Sequence, residues 1–546
     1  MGIVDNDFND QFSEGEQAIM RPFFSNLDKN IFVLTNLPEV IKGTLFSRYS
    51  RSDKSARRLL FDEFIQNKEV QDVIEGNYSK DPKSAVAINK AEDFYQRVLV
   101  GYGDDSVAEL AGTHIACENI SSFAGDMLTD SRIGISPLEK SARYVLFDKK
   151  VKGKYLWYRE PKIMESRHEK LYSDMMDSLF NHYAEWLPIA MEHIREAEPK
   201  QADATDRAYN SAVRAKACDI LKNVFTSARL TNVGLYGNGR AFEYLLNKLY
   251  SSGLGEAQQL ATTMHEELAK VIPAFVRRAQ QSEYLAGTRE AMAAAAARNA
   301  LNAGAEETGG YVKLVDYDRE GQDRILAMML YRYTDRPAEE LYEVVKKMDI
   351  EKKKELAGEY LSRRRNRRDK PGRALENSFY TFEMCANYGV FRDLHRHRVM
   401  TMERQMLTTD LGYDTPAELS DIGIEKEYRK LMEQAAETYR KIAEDMPLEA
   451  QYAVPRSYRI RWYMKLNLRE VHHLTELRSS KQGHPDYRKV AQKMKIEVEK
   501  VHPILTQHMF VDMNDYALPR LDSEKRIDQK LAQMDKAKKE IEDKGR

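Results

Sequence analysis

Cysteine is scarce. Cys117, Cys218 and Cys385 are the only three in the chain, and they stand far apart. That excludes a thiolate metal cage and suits a reducing compartment, so a cytoplasmic protein is expected. Long apolar runs are missing as well. None approaches the ~20 residues of a membrane span, so no membrane partner is expected. The opening MGIVDNDFNDQFSEGE is acidic and polar and does not read as a secretory signal. Excess charge of either sign is also absent. The 85 Lys+Arg and 86 Asp+Glu leave a formal charge of −1. This argues against a dedicated nucleic-acid coat protein, although a local basic patch stays possible. What is present is 42% hydrophobic and 31% charged residues, which fits a globular protein with long polar helices. At about 150 residues per domain, the 546 residues hold two to four domains.

The pattern is helix-rich. Between 166 and 197, Leu171, Met175, Leu179, Tyr183, Trp186, Leu187, Met191 and Ile194 make a helical stripe. Residues 254–303 predict one or two further helices. Short β-like runs stand at 30–35 (NIFVLT) and 310–315 (GYVKLV). These two runs open comparable passages. Ser47-Arg48-Tyr49-Ser50 follows the first and Tyr331-Arg332-Tyr333-Thr334 the second. ENISSFAGDML (118–128) then aligns with ANYGVFRDLH (386–395), pairing Asp126 with Asp393, and Gly237-Asn238-Gly239-Arg240 parallels Leu466-Asn467-Leu468-Arg469. Four pairs in the same order describe a diverged tandem duplication. The expected organisation is an N-terminal arm (1–19), module one (20–305), module two (306–520) and a charged tail (521–546), read as a solvated or frayed helix.

The sharpest local segment is His395-Arg396-His397-Arg398. On a strand, alternation would send Arg396 and Arg398 to one face and the histidines to the other. Two guanidiniums on one face suit a phosphate, an ionised uracil or a flavin. A surface charge cluster is the competing reading. No nearby carboxylate pattern supports a metal on His395 and His397, and no metal is assigned.

The context of that segment, YTFEMCANYGVFRDLHRHRVMT (380–401), resembles the signature region of flavin-dependent thymidylate synthases of the ThyX type. In that family T-F-E leads into R-H-R-x-x-S. Phe382 precedes Arg396 by the family's spacing, and Thr401 stands where the Ser would be. The continuation N-E-x-S-x-R-Y is not met at 402–408. Module one shows the complement. SPLEKSARY (136–144) fits S-x-x-E-x-S-x-R-Y, whereas Thr129-Asp130-Ser131 stands where Arg-His-Arg belongs. Gly103-Asp104-Asp105-Ser106-Val107-Ala108-Glu109 is similar to the family's G-H-x-[ST]-x-x-E with Asp104 replacing His; module two keeps only Glu376 of it. The late pattern, N-x-R with a second Arg nine residues on, is met by Asn467, Arg469 and Arg478, while module one has Asn238, Arg240 and then Leu249. The family's basic residue sixteen positions before that Asn is Lys222 in module one and Gln451 in module two.

The resemblance implies an α+β fold, each module a small twisted sheet packed with long helices. It also implies active sites built between protomers, one side gripping the nucleotide phosphate and its neighbour bringing Arg-His-Arg and the late Arg to pyrimidine and flavin. The surviving residues divide along that line, so a composite site between the modules is expected. The roles carried over are catalytic for Arg396, Arg478 and Glu139, and FAD-binding for His397, Arg398, Ser106, Glu109 and Asn467. Ser141, Arg143, Lys222 and Asp393 are carried over as substrate-binding. The implied reaction is methylation of dUMP to dTMP with methylenetetrahydrofolate and NADPH as co-substrates. The implied assembly is a homodimer supplying four modules. Two rivals remain: the same fold with another pyrimidine or one-carbon chemistry, and a non-catalytic nucleotide-binding scaffold.

Three further features read as structural. The basic run Arg363-Arg364-Arg365-Asn366-Arg367-Arg368 is taken as a solvated loop, with nucleic acid or a polyanionic folate tail as the other reading. The Gly-rich stretch 231–239 lacks a framing strand–helix unit and reads as a turn. His472 and His473, about 100° apart on a helix, do not share a metal.

Overall fold

The computed structural model describes residues 10–50, 52–66, 108–131, 133–299 and 309–544. It is helix-rich with two small sheets, the α+β class. Among the described residues no helix is long and apolar enough to cross a membrane. The chain forms two compact units. The first comprises Met1–Glu118, Met127–Glu139 and Asn232–Leu301; the second comprises Asn119–Asp126, Lys140–Thr231 and Asn302–Arg546.

The strands in chain order are β1 (Gly112–Ser121), β2 (Ile135–Glu139), β3 (Leu230–Asn238), β4 (Tyr311–Tyr317), β5 (Phe379–Asn387), β6 (Met400–Arg404) and β7 (Arg459–Asn467). The sheet orders are β1-β3-β2 and β4-β5-β7-β6. The order β5-β7-β6 reproduces β1-β3-β2. Short helices repeat with it, since Ser122–Thr129 follows β1 and Tyr388–Leu394 follows β5. Helices Gly239–Tyr250 and Leu468–Arg478 continue β3 and β7 without a break. The duplication read from sequence is therefore a duplication of architecture.

In the first unit β2 runs antiparallel to β3, from Ile135 opposite Gly237 to Glu139 opposite Val233. The Gly-rich stretch is thus a strand entering a helix, which corrects the expected turn. Its glycines serve packing: a Cβ on Gly239 would run into Phe275, and one on Gly237 would press on Phe242. The following helix buries Phe242, Leu245, Leu246 and Leu249. At about 1.5–3 kcal/mol for each such side chain, that face outweighs the glycine cost at its start. The run at 30–35 is not a strand. Ile31 and Val33 are exposed, and only Leu34 makes a bridge, to Phe24. A short apolar run alone did not supply a partner strand there. Residues 255–298 form three helical pieces, Gly255–Ala269, Pro273–Val276 and Glu283–Arg298, rather than one or two.

In the second unit β5 and β7 are the central strands, antiparallel from Phe379 opposite Asn467 to Asn387 opposite Arg459. Every second residue points inward: Tyr380, Phe382 and Met384 from β5, and Ile460, Trp462, Met464 and Leu466 from β7. The run at 310–315 does become β4, paired to β5 with a bulge at Leu314/Asp316. The expected stripe becomes the helix Glu169–Ala197, which buries Met175, Leu179, Tyr183, Trp186, Leu187 and Ile194. Segment 140–231 joins the second half's backbone through a bridge from Thr226 to Pro455 and bonds from Arg456 N to Phe225 O (2.9 Å) and Ser457 N to Asn223 O (2.9 Å). Those bonds bring Lys222 and its helix, Asp206–Leu221, into the unit that holds β5–β7. The tail is an ordered helix, Leu521–Lys544. Leu521 is buried with Ala204 and Ala212, and Arg207 pairs with Glu524 (3.1 Å) and Asp528.

Candidate ligand-binding site

The site begins where the helix Tyr388–Leu394 ends. His395 is its C-cap, donating its backbone N–H to Phe391 O (2.9 Å), and His397 N–H reaches Leu394 O (3.2 Å). The Arg-His-Arg segment is therefore a turn leading into β6, not a strand. These bonds to the preceding helical turn hold it away from any sheet partner. The expected alternation survives nonetheless. His395 and His397 are buried, while Arg396 and Arg398 are exposed.

The second wall is the helix Leu468–Arg478. Asn467 caps it, its side-chain oxygen accepting from Glu470 N (2.9 Å). Val471, Leu474 and Thr475 face the core, and Glu470, His473, Leu477 and Arg478 face the cavity. Arg478 Nε donates to His397 Nε2 (3.0 Å), so His397 carries its proton on Nδ1 and gives it to Glu470 Oε1 (2.8 Å). Burial pushes His397 down to about 4 and keeps it neutral. Burial would push Glu470 up, but hydrogen bonds from His397 and His473 reverse this and hold it at about 2. His397, Glu470 and His473 bring one donor atom each within 4.8 Å of one another. The N–H of Arg478 nevertheless commits the His397 nitrogens to hydrogen bonds, so the trio reads as a proton-bonded chain rather than a metal ligand set.

Between these walls lies a cavity of about 340 Å³, lined by seven Arg and Lys against three Glu. Arg367, Lys370, Arg396, Arg398, Arg469 and Arg478 ring it. Glu376 is taken up by Arg469 (2.8 Å) and Arg373 (3.1 Å). Arg364 is not the solvated side chain expected of the basic run. It is buried, with Nη2 2.6 Å from Glu476 and its guanidinium over Phe510. Arg363, Arg365, Arg367 and Arg368 are the exposed members. Arg367 and Lys370 join the cavity wall.

A buried charge network adjoins His397 through Arg478. Arg143 Nε lies 2.9 Å and Lys222 Nζ 3.1 Å from Asp219 Oδ1. Arg143 and Arg478 both lie over the ring of Tyr487, at 5.5 and 5.6 Å. Desolvation would push Asp393 up, yet Lys222, Arg143, Arg396 and Arg478 more than reverse it and hold this carboxyl far below the usual range. Asp219 is likewise held far down against its burial by Lys222 and Arg143. Burial lowers Lys222, and Asp219 opposes that shift.

The second unit thus gathers Arg143, Lys222, Asp393, Arg396, His397, Arg398, Asn467 and Arg478 of the expected residues. Ser141 is exposed there and shapes the turn, its Oγ accepting from Arg143 N (3.4 Å). Glu139 and Glu109 belong to the first unit. Glu139 is buried at the end of β2, and Glu109 is exposed and paired with Arg240 (2.8 Å). Ser106 lies outside the described residues. Sequence reasoning missed Asp219, Tyr487, Glu470 and His473. Asp219 had one signal, a carboxylate one helical turn before Lys222.

Fold and site together define a tandem α+β protein with a cationic, nucleotide-sized cavity beside a buried Arg–Lys–Asp network. The chain belongs to the Thy1 family, described as thymidylate synthase complementing protein, whose family model matches residues 51–274 and 313–504. It is 40% identical to the UPF0159 protein of Chlamydia pneumoniae, over 95% of this chain and 98% of that one. It is 41% identical to the UPF0159 protein of Chlamydia muridarum, over 94% and 98%. A UPF0159 protein of Thermoplasma acidophilum is 34% identical, over 89% and 98%. Among solved structures, the flavin-dependent thymidylate synthase ThyX of Helicobacter pylori, complexed with FAD and dUMP, matches at 17% identity, over 37% of this chain and 99% of that one, with a TM-score of 0.28.

Proposed function

We propose that this chain is a flavin-dependent enzyme of pyrimidine nucleotides, methylating dUMP to dTMP with methylenetetrahydrofolate and NADPH. The carrying observation is that residues kept by different halves of the duplication share one charge network: Arg143 and Lys222 from the first, and Asp393, Arg396 and Arg478 from the second. Family membership supports the reaction class. The cationic cavity supports FAD binding, since its volume falls within the roughly 300–1,000 Å³ of ligand pockets and its rim offers guanidiniums to a pyrophosphate. Arg396, Arg398, His397 and Asn467 would hold it. When bound, the flavin would supply the hydride chemistry. Arg143 and Lys222 would take the nucleotide phosphate, Arg396 and Arg478 would offset charge building on the uracil carbonyl edge, and Asp393 would hold these cations in place. Two chains would assemble four modules, which a solution mass measurement tests.

One observation favours the rival pyrimidine chemistry. Asp219 already occupies Arg143 and Lys222, so a phosphate must compete with a carboxylate there. The deciding experiment is release of tritium from C5-labelled dUMP by flavin-loaded protein. Folate-dependent release supports thymidylate synthesis, and release without folate supports uracil activation with another one-carbon chemistry. No release with flavin bound points to another pyrimidine. Neither flavin nor release sinks the enzyme and leaves the scaffold.

A further inference from the structure

His397 and His473 line the cavity and His472 is buried behind it, and their nitrogens are used differently. His397 is bonded at both, from Arg478 and to Glu470. His472 is fully buried, its Nδ1 accepting from Arg364 (3.1 Å) and its Nε2 donating to Leu505 O (3.1 Å). Neither has a ring nitrogen left for proton transfer. His473 differs. It lines the cavity with 38% of its side chain exposed, and its Nδ1 lies 3.3 Å from Glu470 Oε2. Glu470 is buried and ionised, an acceptor only, so His473 must present N–H at Nδ1. That leaves Nε2 as a lone pair with no partner among the described residues. A carboxylate fixing the tautomer of a half-open histidine is the arrangement used for proton transfer. The Asn467 cap and the His397 bond lock Glu470 from its other sides, so the pair is rigid.

We propose that His473 is the general base of the cavity, its Nε2 taking the proton that leaves C5 of the bound pyrimidine, with Glu470 as its positioning residue. This rests on the flavoenzyme reading above. Attachment of the one-carbon unit from methylenetetrahydrofolate uses the electron pair of the C5–C6 double bond. Heterolysis of C5–H then sends the proton to Nε2 and returns the C–H electron pair to the ring as the restored double bond. Glu470 stabilises the imidazolium against Arg396, Arg398, Arg478, Arg367 and Lys370, and solvent takes the proton from the open side. His397, held neutral between Arg478 and Glu470, adds no charge.

The test uses the flavin-loaded full chain and two variants, His473→Gln and Glu470→Gln. His473→Gln is expected to keep dUMP affinity within about threefold while slowing C5 tritium release about 10²-fold or more, and to lose the acid limb of the rate–pH profile. Glu470→Gln is expected to keep that limb but move it to lower pH, a displacement that mere packing loss does not produce. Wild-type release and an intact limb in His473→Gln overturn the proposal. Histidine ¹⁵N spectra of the unaltered chain give a readout free of turnover. His473 should show the Nδ1–H tautomer, with ¹⁵N shifts that move when dUMP is added. An indifferent His473 in a protein that binds flavin and dUMP sinks the base assignment alone. A protein binding neither sinks the flavoenzyme reading, and this proposal with it.

Discussion

Arg143 and Arg396 act on one charge network but differ in burial, and their removal should differ in kind. Arg143 is 13% exposed and committed to Asp219. Its loss leaves a buried carboxylate with Lys222 as the remaining partner of the pair. Arg143→Ala should weaken dUMP binding by on the order of 10²-fold and lower the Tm, read by nucleotide titration and thermal melting. Arg396 is exposed. Arg396→Ala should leave folding unchanged within about 0.5 kcal/mol while turnover falls about 10²–10³-fold. An affinity unchanged in Arg143→Ala would contradict the composite site. Acid should also weaken this wall. His397 binds its proton less readily folded, at about 4, than at its ordinary 6.5. The folded state is thus penalised as pH falls from 6.5 towards 4, by roughly 2–3 kcal/mol in all. Glu470, at about 2 against 4.5, adds stability above 4.5 that is lost between 4.5 and 2. Urea unfolding at pH 7 and pH 4.5 checks the first window, and His397→Gln should flatten it.

At the scale of elements, capping tied chemistry to geometry in a way that motif matching missed. Asn238 and Asn467 were read as members of an N-x-R pattern. Each also caps the helix that follows its strand, accepting from Ala241 N (2.8 Å) and Glu470 N (2.9 Å). Asn467→Ala should cost about 1 kcal/mol in denaturant unfolding, and Asn467→Asp should restore it. The helix Glu169–Ala197 was legible because its apolar residues recur at helical spacing over 29 residues. The run at 30–35 is β-like in composition yet stays unpaired beyond one bridge, because a strand exists only if another strand accepts its hydrogen bonds. The Arg-His-Arg turn shows the converse: the alternation was right and the element wrong, since the helix before it claims its backbone N–H groups.

At the scale of the molecule, the tail is part of the second unit. Deleting 521–546 removes the buried Leu521, the partners of Arg207, and Lys525, which pairs with Asp203. The Leu521 contribution alone is about 1.5–3 kcal/mol, so a truncated chain should melt lower while flavin content is retained. Sequence determined the tandem repeat, the helix-rich pattern and the long amphipathic helix, because repeats and periodicity are properties of order along the chain, while the α+β class and the partition of Arg143 and Lys222 from Arg396 and Arg478 were what the family resemblance implied. Tertiary structure decided that segment 140–231 closes onto β5–β7, that Asp219 holds Arg143 and Lys222, and that Arg364 is buried on Glu476 while Arg367 lines the cavity. It also decided that, of two adjacent histidines, His472 is consumed by packing and His473 keeps a free nitrogen. Those outcomes depend on which charges are removed from water together, and residues 143 and 219, or 364 and 476, meet only when the chain is folded.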